Sequence, residues 1–226
     1  MAISVVNVSS ANTSGFAGSL TIPITTPAAG NSLVVICGDI DLNGAGLGTV
    51  SCQDDQANTA LYTRITGVQN HINLSGTSYC SDMYYRVDVP AGLTFITVTF
   101  GTGTNFARVA VLEVAGMNWA SPLEHTSQLN STTSGNPHLG TPISTTFTNA
   151  LFVSLSLTTA NATMTPITGW TAVLSGTGEI LAAYLIGSGT QTPGFNGGNT
   201  VTFTTNAATF NPTQNPNQQG MLLMFN

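Results

Sequence analysis

The chain has 226 residues and a formal net charge of -6, and only 5% of its residues are Asp, Glu, Lys or Arg. An average domain would have roughly a quarter. Lysine is absent, and Arg64, Arg86 and Arg108 stand against nine carboxylates. This balance excludes a nucleic-acid surface that neutralises phosphates and a polybasic membrane anchor. Because 42% of the residues are apolar, we predict a packed core rather than a disordered chain.

Targeting signals are not evident in the sequence. The opening MAISVVNVSS lacks the basic and apolar regions of a secretory signal, and no window approaches the ~20 apolar residues that a membrane helix needs. We therefore expect neither a cleaved secretory signal nor a membrane-spanning helix.

Strand patterns follow one another along the whole chain. Apolar runs that indicate strands buried on both faces are LVVIC (33–37), ARVAVLEVA (107–115) and MLLMF (221–225). In SDMYYRVDVP the period of two places Met83 and Tyr85 inward and Asp82 and Tyr84 on a wet face. In LFVSLSL the same period places the leucines and valine inward and the serines outward.

No segment repeats apolar residues at helical spacing, and Gly or Pro interrupts every candidate helix. We predict an all-β fold with little or no helix, a two-sheet antiparallel sandwich of the jelly-roll or Greek-key type with roughly eight to twelve strands. We expect residues 1–226 to form one domain. Two small sandwiches in tandem, split near 125–140, are the alternative.

The order of segments repeats in the two parts of the chain, which predicts two similar halves. The piece LTIPITTPAAGNSLVVICG is echoed by GTPISTTFTNALFVSLSL, and SDMYYRV by EILAAYLIG. The Thr-rich LTFITVTF is matched with NTVTFTTN, and the closing ARVAVLEVA with GMLLMFN.

Three cysteines cannot all pair within one chain. Cys37 lies in an apolar strand pattern, and we predict a free core thiol there. Cys52 and Cys80 flank a loop-rich stretch and form a disulfide in one interpretation, or remain two reduced thiols in the other.

Oxygen-rich loops offer a candidate cation site. Asp39, Asp41, Asn43 and Gly44 match the first half of an EF-hand loop, but its twelfth position is Val50 rather than a bidentate Glu. Asp54, Asp55 and Asn58 form a second cluster that completes a Ca²⁺ site if the two loops meet. Asx turns explain both stretches without a metal, and we favour that interpretation.

Catalytic patterns are weak. There is no nucleophile elbow, and a phosphate loop ending in G-K is excluded because the chain has no lysine. We interpret His71, His125 and His138 as loop histidines. Glu113, Glu124 and Glu179 are the carboxylates that a glycosidase would draw on. Glu113 lies in the two-faced strand near Arg108, where a buried ion pair or an interface contact is the favoured interpretation. We predict no enzymatic activity.

Aromatic side chains provide a candidate ligand surface. Sugar-binding surfaces present Trp or Tyr faces beside amides and carboxylates. Trp119, in the turn-like GMNWASP, is the best exposed candidate, with Tyr84 and Tyr62 beside it; turn packing or subunit contact is the alternative. Trp170 is expected in the core.

Several stretches resemble a jelly-roll-like β-sandwich domain that recurs in phage virion-associated proteins and in bacterial secreted or surface proteins. They are PAAGNSLVVI, SCQDDQANTALYTRIT, MYYRVDVPAGLTFITVTF, ARVAVLEVAGMNWASPLE and the GWT of 169–171. The resemblance implies a virion or surface setting and brings no catalytic residues.

The neutral composition favours contacts among many copies, because a Thr-, Ser- and Asn-rich surface lets neighbours approach without desolvating ions. We expect a virion-surface structural protein, such as a capsid decoration or head or tail fibre component, that binds itself as a trimer and other virion proteins. The alternative is a carbohydrate-binding or adhesive module at a bacterial cell surface. We predict a long polar loop over 205–219, with Pro212 and Pro216, as a partner contact.

Overall fold

The computed structural model describes residues 2–13, 15, 17–41, 49–56, 62–74, 77–104, 106–159, 163–177, 179–197 and 201–213. Within these ranges the chain forms strands and turns and no helix. All pairs of named strands are antiparallel. The predicted all-β antiparallel fold class is therefore confirmed.

The described residues form eighteen strands, nine in each half of the chain. The first half contains β1 (Ser4–Asn12), β2 (Ala17–Pro23), β3 (Ser32–Asp41), β4 (Thr49–Asp54), β5 (Thr63–Arg64), β6 (Asn70–Leu74), β7 (Thr77–Arg86), β8 (Phe95–Thr104) and β9 (Phe106–Ala115). The second half contains β10 (Leu123–Gly135), β11 (His138–Leu139), β12 (Ile143–Thr158), β13 (Thr163–Pro166), β14 (Thr171–Leu174), β15 (Gly176–Thr177), β16 (Ile180–Gln191), β17 (Gly194–Gly197) and β18 (Val201–Phe210).

Each half forms a large and a small sheet. In the first half, the inner sheet has the order β1-β9-β3-β7-β5, with β6 also paired to β7, and the outer sheet has the order β2-β8-β4. In the second half, the inner sheet has the order β10-β18-β12-β16-β14, and the outer sheet has the order β11-β17-β13-β15. Adding nine to each strand number converts the main path of the first inner sheet into the second.

The predicted duplication is therefore visible in the strand order, although two of the predicted equivalences are wrong. β3 corresponds to β12 and β7 to β16, as the sequence predicts. The Thr-rich β18, however, corresponds to the apolar β9 and not to β8, because it lies between β10 and β12 in the inner sheet. The equivalent of β8 is β17, which has four residues and too short a pattern to recognise. GMLLMFN lies outside the described residues.

Three apolar cores separate four sheet layers. The first lies between the outer and inner sheets of the first half and includes Val35, Cys37 and Val109. The second lies between the two inner sheets and includes Ile36, Leu112 and Leu155. The third lies between the sheets of the second half and includes Phe152, Trp170 and Phe195. Each half thus forms two facing antiparallel sheets, which agrees with the predicted all-β sandwich.

The inner sheets face each other in opposite order. β1 lies against β14 at one side of the stack, and β6 lies against β10 at the other side. The halves are thus related by an approximate twofold, and they join at residues 116–122, between β9 and β10. Jelly-roll connectivity and the number of independently folding domains stay predictions.

The covering layers also explain two wrong burial predictions. Asp82 and Tyr84 of β7 are buried, although the alternation of the strand predicted a wet face. Ser154 and Ser156 of β12 are buried in the same way. In both strands the second face is covered by an outer sheet, so its polar residues lie inside. Asp82, Tyr84 and Ser156 hydrogen-bond there, Ser156 to the carbonyl oxygen of Thr204 at 2.9 Å.

Candidate functional site

The turn that joins the two halves presents the most exposed Phe, Tyr or Trp side chain among the described residues. Asn118 Oδ1 accepts hydrogen bonds from the backbone N–H groups of Ala120 at 3.0 Å and Ser121 at 3.3 Å, which closes an Asx turn. Trp119 lies between these residues and is 49% exposed, as its position in GMNWASP predicts. The turn therefore holds an indole ring at the surface.

The joining segment is held on both sides. A Cβ on Gly116, whose φ is +75°, would lie 2.4 Å from the carbonyl oxygen of Ala2, so the close passage of the two backbones requires glycine. On the other side, Thr213 N donates to the Gly116 carbonyl at 2.7 Å, and Asn118 N donates to the Asn211 carbonyl at 2.9 Å. These contacts fix Trp119 relative to both halves.

An open groove of about 510 Å³ lies beside the Trp119 ring. The ring packs over Gly30, where an added Cβ would lie 3.5 Å from Cζ2 of Trp119. The groove is lined mainly by small apolar residues and glycine, with amide and hydroxyl groups at its margin: Ala29, Gly30, Asn31, Ala115, Gly116, Met117, Asn118, Trp119, Ala120 and Thr213. An aromatic face beside amides suits the apolar face of a sugar or a small apolar side chain.

Glu113 supports this groove from behind. The carboxylate is buried and accepts hydrogen bonds from Ala28 N at 2.9 Å, from Asn31 Nδ2 at 2.6 Å and from Asn7 Nδ2. The expected partner, Arg108, projects from the other face of β9 and donates to carbonyl oxygens of the second half. A buried carboxylate can thus be satisfied by neutral N–H donors, and here they order the Ala28–Asn31 turn.

A buried charged cluster lies between the two sheets of the first half. Arg64 pairs with Asp82 through Nη2 at 2.6 Å, and Asp82 Oδ2 accepts from Thr49 N at 2.9 Å and Thr49 Oγ1 at 2.7 Å. Tyr84 OH is 2.6 Å from Thr49 Oγ1, and the Arg64 guanidinium lies over the Tyr84 ring. Burial raises the pKa of Tyr84 above its ordinary value.

A second ion pair belongs to the same region. Arg86 Nη1 pairs with the fully buried Asp54, and Tyr62 OH lies 3.4 Å from Asp54 Oδ2. Burial, and then the Asp54 carboxylate, raise the pKa of Tyr62. The two ion pairs contain two of the three arginines of the chain. Because Thr49 and Asp54 lie on β4 and their partners lie on β7, these contacts position the outer sheet on the inner sheet.

The three predicted ligand-binding aromatics do not form one platform. Trp119 is exposed at the joining turn, whereas Tyr62 and Tyr84 are buried in the charged cluster with exposures of 5% and 3%. The prediction that Tyr84 lies on a wet face is wrong because the first outer sheet covers β7. Neither tyrosine can present a ring face at the surface.

The predicted cation site is not assembled from the described residues. Asp54 is paired with Arg86, and Asp55 Oδ2 accepts from Thr94 N at 2.9 Å. Asp39 is buried on β3, while Asn43, Asn58 and the side chain of Asp41 lie outside the described part. In the ranges that the structure covers, no three His, Cys, Asp or Glu side chains are grouped to hold a metal ion. Binding of Ca²⁺ stays a prediction.

The other candidate catalytic carboxylates make local contacts. Glu124 accepts from Thr146 N at 2.9 Å and from the hydroxyls of Thr145 and Thr146. Burial would raise its pKa, but these hydrogen bonds outweigh burial and lower it. Glu179 is half-buried, and burial raises its pKa, with Tyr79 OH at 3.5 Å. Each carboxylate thus has its own set of neighbours rather than facing a second acid across a cleft.

The histidines are in strands and not in loops, which corrects the prediction. His71 on β6 and His125 on β10 are exposed. His138 on β11 is fully buried and stacks on Phe203, with ring centroids 4.8 Å apart. The strong β patterning of the neighbouring residues carries these histidines into the sheets.

All three cysteines are buried free thiols. The prediction of a free core thiol at Cys37 is confirmed, and the bond between Cys52 and Cys80 is not formed. Cys52 lies on β4 in an outer sheet, whereas Cys80 lies on β7 in an inner sheet.

The segment predicted as a long polar loop at 205–219 is partly a buried strand. Residues 205–210 complete β18, and Pro212 forms a bridge with Met117. Residues 214–219 lie outside the described part. Ala207, Ala208 and Phe210, which continue the Thr-rich run from Val201, are the strand signal that the loop prediction overlooked.

No helix in the described ranges is long and apolar enough to cross a membrane.

Comparisons with known proteins find no matching family model and no matching curated protein. Among solved structures, the chain is similar to the major capsid protein P2 from bacteriophage PM2, with 12% identity, 93% of this chain and 99% of that chain covered, and a TM-score of 0.24. It is also similar to the PBSX exported protein XepA, with 9% identity, 92% and 86% covered, and a TM-score of 0.24. These are a phage capsid protein and an exported protein, the settings that the sequence resemblance names, and TM-scores this low are not evidence for a shared topology or role.

Proposed function

We propose that the chain is a non-enzymatic structural protein of a virion exterior, such as a capsid decoration or head or tail fibre component, and that it acts by assembling with copies of itself and with other virion proteins. The observation that carries this proposal is the inward placement of the charges. Asp39, Asp54, Asp82 and Glu113 are buried, and the three arginines bind acceptors within the protein.

The consequence is an exterior with few charged side chains, among them the carboxylates of Asp55, Asp88, Glu124 and Glu179. Close contact between two such surfaces desolvates few ions and immobilises no lysine, the side chain with one of the largest entropies to lose. A densely packed outer shell of identical copies needs surfaces of this kind. The expected homotrimer is part of the proposal.

Fractionation of particles tests this role. Virus-sized particles from the source culture are washed in about 1 M salt, which screens adventitious charge contacts, and their proteins are identified by mass spectrometry. Chymotrypsin is the suitable protease, because trypsin has sites only after Arg64, Arg86 and Arg108. The proposal predicts a constant ratio of this chain to the major shell protein across washed fractions. Recovery of the chain only from cells or soluble medium would contradict it.

The exposed Trp119 ring favours a second candidate function, carbohydrate binding at a bacterial surface. A glycan array distinguishes carbohydrate binding from the structural virion role. For a carbohydrate-binding module, Trp119→Ala abolishes a signal that Leu139→Ala retains, since Leu139 is a comparably exposed apolar side chain on β11. A structural virion protein without this activity gives no glycan signal for any of the three proteins.

A further inference from the structure

The two sides of the four-layer stack differ in charge. One side is formed by the edge strands β2, β1 and β14, and we call it the β1 flank. The segments Ser4–Asn12, Ala17–Pro23 and Thr171–Leu174 contain no Asp, Glu, Lys, Arg or His. The opposite side carries Glu124 and His125 on β10 and His71 on β6. The two sides of the stack, which the approximate twofold would make equivalent, therefore differ in the charged and titratable residues that they carry.

Among the described residues, β1 pairs with β9 and no other strand, so its second edge is not paired by any of them. Each of its nine residues is exposed or half-buried. Val6 and Val8 are 49% and 46% exposed, and they are two of the five large apolar side chains that are exposed in the described part of the chain. An edge of this length is about 30 Å long, and alternate residues direct their N–H and C=O groups away from β9.

Natural edge strands are usually protected by Lys, Pro, bulges or short length. β1 contains no charged residue and no Pro, and its one register shift, between Val5 and Asn7, lies near its start. The two charges adjacent to it on β9 are directed inward: Glu113 accepts from Asn7, and Arg108 donates to the carbonyl oxygen of Ile180. Beyond the bulge at Val6, the run from Asn7 to Asn12 is thus a strand edge without charge, Pro or bulge, and Val8 is exposed on it.

We infer that the β1 flank binds the β1 flank of a second copy of the chain, with the two β1 strands pairing antiparallel about Val8. This inference rests on the proposed assembly function. Pairing about Val8 places Val8 opposite Val8 of the second copy and Asn7 opposite Ser9, and it brings the bulged Val6 beside Ser10, so the exposed valines are covered. Every opposed pair along the strand is uncharged, so no like charges meet.

A second copy fits this edge better than the opposite side of a neighbour does. A contact between β1 and β10 would place Glu124 and His125 at an otherwise uncharged interface and would desolvate them. Self-pairing of β1 avoids this cost and closes on a twofold, so it does not propagate into a fibre. The edges of β2 and β14 lie beside β1 and widen the contact beyond one strand pair.

Light scattering of the full chain after size exclusion tests the inference. A twofold contact between β1 flanks joins two of the proposed homotrimers, so the wild type is expected at an even multiple of 23.3 kDa, such as a hexamer. Val8→Lys places two ammonium groups opposite each other and is expected to weaken the twofold contact at least tenfold and halve the assembled mass. Gln128→Lys, on the exposed surface of β10, is the matched control and should leave the mass unchanged. Circular dichroism and melting of Val8→Lys verify that it folds.

Cysteine cross-linking tests the register independently of affinity. Residues directly opposed in an antiparallel pair have Cβ atoms roughly 4.5–5.5 Å apart, within reach of a disulfide after small adjustment. Val8→Cys should therefore form a covalent dimer on mild oxidation, and Asn12→Cys, which would face Ser4, should not.

A monomeric wild type, an assembly unaffected by Val8→Lys, or an assembly broken by Gln128→Lys would overturn the inference. Particle fractionation distinguishes its failure from that of the proposed function. A chain that is found in washed particles but does not pair through β1 contradicts the flank contact alone.

Discussion

The guanidinium of Arg108, on β9 of the first half, donates through Nη1 to the carbonyl oxygen of Ile180, on β16 of the second half, at 2.9 Å. Nη2 donates to the carbonyl oxygen of Ser175 at 3.2 Å. Partial burial lowers the pKa of Arg108. One of three arginines thus connects the two sandwiches rather than facing solvent.

Replacing Arg108 should loosen the contact between the halves. Arg108→Met retains the length of the side chain but removes both hydrogen bonds, and we expect a loss of about 1–2 kcal/mol in the free energy of unfolding. Arg108→Lys should lose less, because an ammonium can still reach one carbonyl. Urea denaturation measures both variants, and equal stability of all three proteins would show that the bridge contributes nothing.

Gly38 on β3 lies directly against Ile180 and Leu157 of the second half. An added Cβ would lie 2.4 Å from Cγ2 of Ile180 and 3.2 Å from Cδ2 of Leu157. Gly38→Ala should therefore destabilise the protein by about 2–3 kcal/mol through overpacking. Gly18→Ala on β2 is the matched control, since nothing lies within 4 Å of its Cβ, and it should be neutral or slightly stabilising. Similar melting temperatures for the two variants would contradict this packing.

Replacing only one partner of the ion pair of Asp54 and Arg86 should lower the free energy of unfolding more than replacing both. Arg86→Met leaves a buried carboxylate with Tyr62 and backbone donors, and we expect a loss of about 3 kcal/mol. Adding Asp54→Asn to that variant should recover part of the loss, because the buried charge is then removed. Denaturation of the two single variants and the double variant measures the coupling, and strictly additive losses would contradict it.

Glu124 should make the protein less stable in acid. Its pKa in the folded protein lies below the ordinary 4.5, so its contribution is fully present above pH 4.5 and is lost as the pH falls through the lowered value. Glu179 has the opposite sign, because its folded pKa is raised and protonation on acidification favours the folded state. At about pH 7 the urea midpoint of Glu124→Gln should lie below that of the wild type and the midpoint of Glu179→Gln above it, and both differences should narrow at about pH 3.5. Parallel shifts in the two variants would contradict the assignment.

The three thiols should be inert in the folded protein. Burial, followed by the nearby Cys52, raises the pKa of Cys37, and burial followed by Asp54 raises that of Cys52, so little thiolate is present to react. A thiol reagent should therefore modify the folded protein slowly and all three cysteines after unfolding. An intact mass that changes with reductant would instead show the disulfide between Cys52 and Cys80.

The sequence predicted the strands and the duplication well, because β-branched runs such as those of β3, β9 and β16 report burial directly. It failed for the wet faces of β7 and β12. Alternation of polar and apolar residues indicates that the two faces of a strand differ. It cannot show whether the polar face is exposed to solvent or is buried against residues that hydrogen-bond to it. Asp82 finds Arg64 and Thr49 there, and Ser156 finds β18.

The candidate site was only partly predictable for the same reason. Trp119 stands in a turn whose residues are consecutive, so its exposure follows from local sequence. The support beneath it depends on Glu113 and Asn31, which are 82 residues apart, and no local pattern joins them. The open edge of β1 was also not predictable, because strand order decides which strand lies at an edge.

The most direct test of assembly through a surface with few charged side chains is cryo-electron microscopy of the washed particles. The structure predicts copies of this chain on the outer shell, with β1 of one copy beside β1 of a twofold-related copy and few charged side chains in the contact. Particles whose outer density contains no such fold would contradict the structural role itself.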